Sequence, residues 1–316
     1  MQKLLLTIAV MLVAATTAAE TTKDSKLDWK FSDETIQLFA PPMEATIEQM
    51  QTWAERLEHP IPDDTEKWGG FEKYRERVAR LQIDLAKQII ASKPDDQTLS
   101  YAYSKQWFAY FILAEQDKTN IPQFENFYAE LKQQNDIRGR KLDRFTNNIM
   151  RTRGAVVRDL LHFDKKYIPL ADELIAEYVV LLEGKPLGKE AEEFYISEWE
   201  QFAQWAERDP KYQSALVAFT KEMRELLNSR ANEVETALFY TRFGSPAAPF
   251  NTPEGQAEWR AWLKQLTQRI AVAESLEDRG TLYRSKLSAL EALLRNNAAT
   301  DEEFLALAKE MEAEVE

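Results

Sequence analysis

Few residue types in this chain could do chemistry. Its 316 residues contain two histidines, His59 and His162, and no cysteine. Thiolate nucleophiles, redox dithiols, disulfides and cysteine metal sites are therefore excluded. His162 follows Asp159 at i+3, which sets both on one helix face and could supply two metal ligands. A structural metal wants four ligands and a catalytic one at least three, and no further histidine completes either set. His59 precedes Pro60 at an expected helix end, where a positive imidazole suits the dipole. No metal or cofactor is expected. Serine chemistry lacks a Gly-x-Ser-x-Gly elbow, and Trp68-Gly69-Gly70 lacks the spacing and the Lys-Ser/Thr partner of a phosphate loop. Carboxylates are abundant, as at Glu190, Glu192 and Glu193 or at Glu302 and Glu303. Glycosidase chemistry needs only two of them, so a carboxylate hydrolase is one alternative. With 53 acidic residues, acids read first as solvated helix faces; no enzyme is expected and no catalytic residue is nominated.

The aromatic residues carry more information. Trp107, Trp199, Trp205, Trp259 and Trp262 fall in helical stretches, with Tyr103 and Tyr195 close by. They either fill the wedges between stacked helices or line a binding face for peptide or glycan, since Trp, Tyr and Arg dominate binding hot spots. On the second reading the candidate partner-binding residues are Trp107, Trp199, Tyr103, Tyr195, Arg153 and Arg242. Arg153 and Arg242 have a competing role, capping a helix end before Gly154 and Gly244.

The elements that must position these residues are helices. Glycine is scarce, at 9 residues, and no stretch alternates long enough for a strand. Phe71, Tyr74, Val78, Leu81, Leu85 and Ile89 recur at spacings of three and four, one face of a long helix. Lys93-Pro94-Asp95-Asp96 ends it and starts the next, over about 97–115. Another follows Pro122, with Phe124, Phe127, Tyr128 and Leu131 on one side. Ser245 to Pro253 holds three prolines in nine residues, which bars a regular helix.

The helices repeat. At an offset of 92, Phe71 and Lys73 fall on Phe163 and Lys165, Ala79 on Ala171, Ile83 on Ile175, Lys93-Pro94 on Lys185-Pro186, Tyr103 on Tyr195 and Trp107 on Trp199. Roughly two such identities are expected from composition. Phe127 and Glu130 then fall on Phe219 and Glu222. A weaker third copy pairs Thr152-Arg153-Gly154 with Thr241-Arg242-Phe243-Gly244 and Tyr74-Arg75 with Trp259-Arg260. The expected fold is an all-α helical-repeat array, solenoid-like, with about three multi-helix modules of roughly 90 residues and a concave side. The expected organisation is N-terminal capping helices over 31–67, a module with connecting helix over 68–159, a second with connecting helix and Pro-rich loop over 160–252, and a third over 253–316. The connecting helices are placed at 137–151 and 228–240. A compact bundle with internal duplication is the alternative.

The unit Ile89-Ile90-Ala91-Ser92-Lys93-Pro94-Asp95-Asp96, followed by Lys105-Gln106-Trp107-Phe108-Ala109, resembles the helical N-terminal regions of exported bacterial thioredoxin-like proteins of the planctomycete type. The resemblance spans the three modules. The thioredoxin domain itself is missing, with no Cys-x-x-Cys and no strand-rich segment, so no redox role or functional residue carries over. It implies an exported helical module with an auxiliary or binding role.

The compartment is read from the first residues. Lys3, the apolar run Leu4 to Ala15 and the small residues Thr17-Ala18-Ala19 make a cleavable secretory signal over 1–19, with a mobile polar leader over 20–30. Spanning a bilayer needs about 20 apolar residues, so no membrane insertion is expected after cleavage. A periplasmic or extracellular location follows. The net charge of −13 and pI near 4.9 repel phosphate backbones, so nucleic acid is not an expected partner. The expected function is a protein- or peptide-binding scaffold of unknown partner. A passive helical spacer in an envelope assembly is a further alternative.

Overall fold

The computed structural model describes residues 46–57, 69–137 and 141–314. The expected signal, leader and first capping residues (1–45), together with His59, lie outside the described residues. Twelve α-helices and no strand occur among those described: α1 Ile47–Leu57, α2 Phe71–Ala91, α3 Asp96–Gln116, α4 Ile121–Ile137, α5 Arg144–Phe163, α6 Ile168–Leu182, α7 Lys189–Ala206, α8 Pro210–Ser229, α9 Ala237–Gly244, α10 Pro253–Val272, α11 Leu276–Arg295 and α12 Asp301–Ala313.

The helices pack as an all-α array with a simple rule. α3, α5, α7, α9 and α11 form a row in which each lies against the next. By backbone proximity, α4 sits against α3 and α5, α6 against α5 and α7, and α8 against α7 and α9. α4, α6 and α8 are not backbone neighbours of one another. Side chains bridge between them: Lys132 of α4 with Glu173 of α6, and Lys211 of α8 with Asp172 of α6 at 2.6 Å. Such half-exposed pairs add little stability each.

Local chemistry sets the helix ends. Asp95 accepts the Thr98 N–H at 2.8 Å to start α3, and Asp143 accepts that of Thr146 at 2.8 Å to start α5. Thr300 and Glu303 form a reciprocal capping box on α12. The Pro-rich loop is irregular over 245–252, and Pro253 takes the first position of α10, where its missing N–H costs nothing. The stretch 137–151, expected as one connecting helix, contains the last residue of α4 and the first eight of α5, which Asp143 starts afresh. The stretch 228–240 is likewise broken, by a 3-10 turn at Ala231–Glu233.

The 92-residue offset has a physical counterpart. Tyr103 meets Phe127 with ring centroids 6.4 Å apart and planes at 43°, and Tyr195 meets Phe219 at 6.4 Å and 42°. A shorter period lies inside it. Asp117, Asp164 and Asp209, 47 and then 45 positions apart, lie in the turns that follow α3, α5 and α7, each accepting the N–H two residues on. Asp117-Lys118-Thr119-Asn120-Ile121-Pro122 and Asp164-Lys165-Lys166-Tyr167-Ile168-Pro169 share this turn: aspartate, a 3-10 turn, then proline in the next helix. The elementary unit is therefore a helix pair, and 92 residues make two of them.

Two glycines make room for buried neighbours from other helices. A Cβ on Gly154 would lie 1.6 Å from the amide oxygen of Gln201, and Gly154 accepts the Trp205 indole N–H at 3.1 Å. A Cβ on Gly244 would lie 2.8 Å from the Trp262 ring. Trp205 and Trp262 are both buried. In an open helix, Gly→Ala gains about 1 kcal/mol. Because Gln201 is itself buried and cannot swing into solvent, Gly154→Ala is expected to reverse that sign. A loss of about 1–3 kcal/mol in urea unfolding would match an overpacked α5–α7 contact; a gain would mean the contact is loose.

Candidate partner-binding site

The six nominated residues divide by environment. Tyr103 is 4% exposed and Arg153 0%, so neither has surface to offer. Arg153 does not cap a helix end either, since it sits in the middle of α5. Its guanidinium donates to both oxygens of Glu177 on α6, at 2.6 and 2.7 Å, and to the Tyr128 hydroxyl on α4, at 3.2 Å. Burial works to lower its pKa, but the Glu177 carboxylate and Tyr128 raise it on balance, and the charge stays.

Trp107 is half-buried. Its indole N–H donates to Asp159 at 2.8 Å, the other oxygen of Asp159 accepts from Arg158 at 2.7 Å, and that guanidinium lies 5.6 Å from the Trp107 ring centre. Arg158 was not singled out in the sequence. Nothing in its spacing marks it, because it comes from the next helix of the row. Asp159 is only 2% exposed with both oxygens engaged, while His162 is exposed. The Asp159/His162 ligand pair is thereby divided, and no group of three or more metal-ligating side chains occurs among the described residues.

Trp199 and Arg242 come together. The Arg242 guanidinium stacks 4.3 Å from the Trp199 ring centre, and the Trp199 N–H donates to Thr220 at 3.0 Å. Tyr195, one turn earlier on α7, packs on Phe219 and Phe239. Burial raises the Tyr195 pKa, with Glu198 and Glu222 adding to it. Arg242 is exposed in the last turn of α9, where a cation suits the dipole. Among the described residues no acid pairs with it. Alignment on glycine explains its divergence from Arg153: Phe243, wholly buried, takes the place before Gly244 that Arg153 holds before Gly154. Arg242 is one residue earlier, turned about 100° around the helix.

Two of the carboxylates quoted from the sequence have structural tasks. Glu192, with no exposure, accepts the N–H groups of Glu235 and Thr236 at 2.8 and 2.7 Å and fixes the start of α9. Glu303 pairs with Arg260 at 2.6 Å, which holds its pKa down together with the Thr300 backbone N–H. Glu190 and Glu302 face solvent. One acid missed in the sequence stands out: burial, and then the charge of Glu222, lift Glu198 to about 8. It is 4% exposed. Comparison with protein-family models, curated proteins and solved structures finds no match for the chain.

The two tryptophans should respond differently to loss of the indole N–H. Trp107→Phe strips a donor from the buried Asp159 and is expected to cost about 1–3 kcal/mol. Trp199→Phe leaves Thr220 still bonded to the Leu216 carbonyl at 2.7 Å and is expected to cost less than about 1 kcal/mol. Urea unfolding of both variants checks the order, and an equal cost would contradict it.

Proposed function

We propose that the chain is an exported helical-repeat protein that binds a protein or peptide partner, with Arg242 as an anchor for a carboxylate of that partner. One observation carries this reading. In a chain of net charge −13, an exposed guanidinium rests on the Trp199 ring with no acid of its own among the described residues. Stacking restricts the side chain before binding, so less entropy is lost when a carboxylate docks on its planar donors. Peptides offer such groups at acidic side chains and at the C-terminus. Export rests on Lys3, the apolar run Leu4 to Ala15 and Thr17-Ala18-Ala19, and the resemblance to helical regions of exported proteins supports an auxiliary role. No catalysis is part of the proposal, because Glu192, Glu303 and Asp159 are engaged in holding helices. No helix among the described residues is long and apolar enough to cross a membrane.

The test uses residues 20–316 as bait for the exported fraction of the source cell, read by mass spectrometry. A salt-resistant protein partner is expected. Arg242→Ala should weaken its capture roughly tenfold to a hundredfold, the effect of losing about 1–3 kcal/mol at a hot spot. Lys221→Ala, at an exposed pair on α8, should leave capture unchanged. A blank result, or equal capture by the Arg242→Ala chain, would overturn the proposal.

A further inference from the structure

Within the row, α5 is buried on every side but one. Apart from Phe163 at its end, its residues that are not buried are Arg144, Asn148, Arg151, Ala155, Arg158 and His162. Their alternating spacings of four and three set them on one helix face. That face carries three guanidiniums and no acid. The next helix of the row, α7, carries the opposite charge beside it: Glu193, Glu200 and, at its C-terminal cap, Glu207, none of them buried. Both sets repeat every seven residues, about 10.5 Å along a helix and nearly the same direction around it. The helices run the same way, since Arg151 pairs with Glu200 at 2.8 Å and Lys165, just past α5, with Asp209, just past α7, at 3.0 Å. Arg144 therefore stands near the height of Glu193, and Arg158 near that of Glu207. Among the described residues only the middle level closes as an ion pair within the chain; Arg158 turns to Asp159.

We propose that this double strip is a docking face for a second copy of the chain. A two-fold axis parallel to the helices, above the seam between α5 and α7, keeps every residue at its height and exchanges the two helices. The basic strip of each copy then faces the acidic strip of the other at all three levels: Arg144 with the partner's Glu193, Arg151 with the partner's Glu200, and Arg158 with the partner's Glu207. Charge selects this occupant. A chain of net charge −13 repels its own copies wherever its acids are in excess, but here three cations meet three anions, twice over. An unrelated acidic surface would be opposed by the strip on α7, and a basic one by the strip on α5. A face of both signs in matched register fits its own copy. Exposed ion pairs contribute little each, so the network sets register and choice of partner more than tight affinity. The inference does not rest on the Arg242 anchor, which none of the three levels uses.

Sedimentation equilibrium on the full chain tests this. A monomer–dimer equilibrium is expected at low salt, weakened at least about tenfold when salt rises from about 0.05 to about 0.5 M. Arg144→Glu with Arg151→Glu, and separately Glu193→Arg with Glu200→Arg, should each leave a monomer of unchanged circular dichroism, because like charges then face each other. Mixed together, the two variants should dimerise, since each basic strip again meets an acidic one. A role confined to one chain cannot produce that rescue. If a double variant fails to fold, Arg144→Glu and Glu193→Arg, which leave the Arg151–Glu200 pair in place, provide the same mixing test. A wild-type chain that stays monomeric at low salt, a dimer that survives either reversal, or a mixture that stays monomeric would overturn the proposal. Loss of a different captured protein on either reversal, with the wild-type chain monomeric, would overturn it too and assign the face to that protein.

Discussion

A buried guanidinium constrains this structure more than any other group. Removing an ion from water costs several kcal/mol, and the interior returns it only when the counter-charge and donors are well placed. Arg153 meets that demand with helices on either side of it: Glu177 of α6 takes two of its N–H groups, and Tyr128 of α4 supplies both a hydroxyl and a ring face 5.1 Å away. Only Nε goes without a partner. Because α4 and α6 are not backbone neighbours, this tie through α5 fixes their register as no apolar contact could. A slip of one residue on any of the three helices would strand a charge.

Close approach between elements is the second requirement. Gly154 and Gly244 remove the Cβ atoms that would hold α7 off α5 and Trp262 off α9. Buried tryptophans then occupy the seats. The same row places Trp107 beneath Arg158 and Trp199 beneath Arg242. In the first stack a buried aspartate neutralises the arginine; in the second no described acid does. The repeat thus supplies a common frame, and one missing carboxylate turns a structural stack into an anchor open to a partner.

The helical class was legible because Phe71, Tyr74, Val78, Leu85 and Ile89 follow one face, and the duplication because packing between Tyr103 and Phe127 demands the same residues at 195 and 219. The elementary helix pair was harder to see. Its marker, aspartate then Ile-Pro, is short, and α5 and α9 differ in length. Side-chain environments were less legible still. Thr152-Arg153-Gly154 and Thr241-Arg242-Phe243-Gly244 look alike in sequence, yet one inserted residue sends one arginine into the core and the other to the surface. Nor could spacing reveal that Glu198 is buried while Glu190, on the same helix, is exposed.

The claim that a buried ionic tie sets the array is tested most directly by a double-mutant cycle on Arg153→Met and Glu177→Leu, read by urea unfolding. Each single substitution should cost about 3–5 kcal/mol by stranding the other charge, and the pair together far less than the sum. Costs that simply add would contradict the account, showing that the two charges contribute independently and that the register of α4, α5 and α6 is set by apolar packing instead.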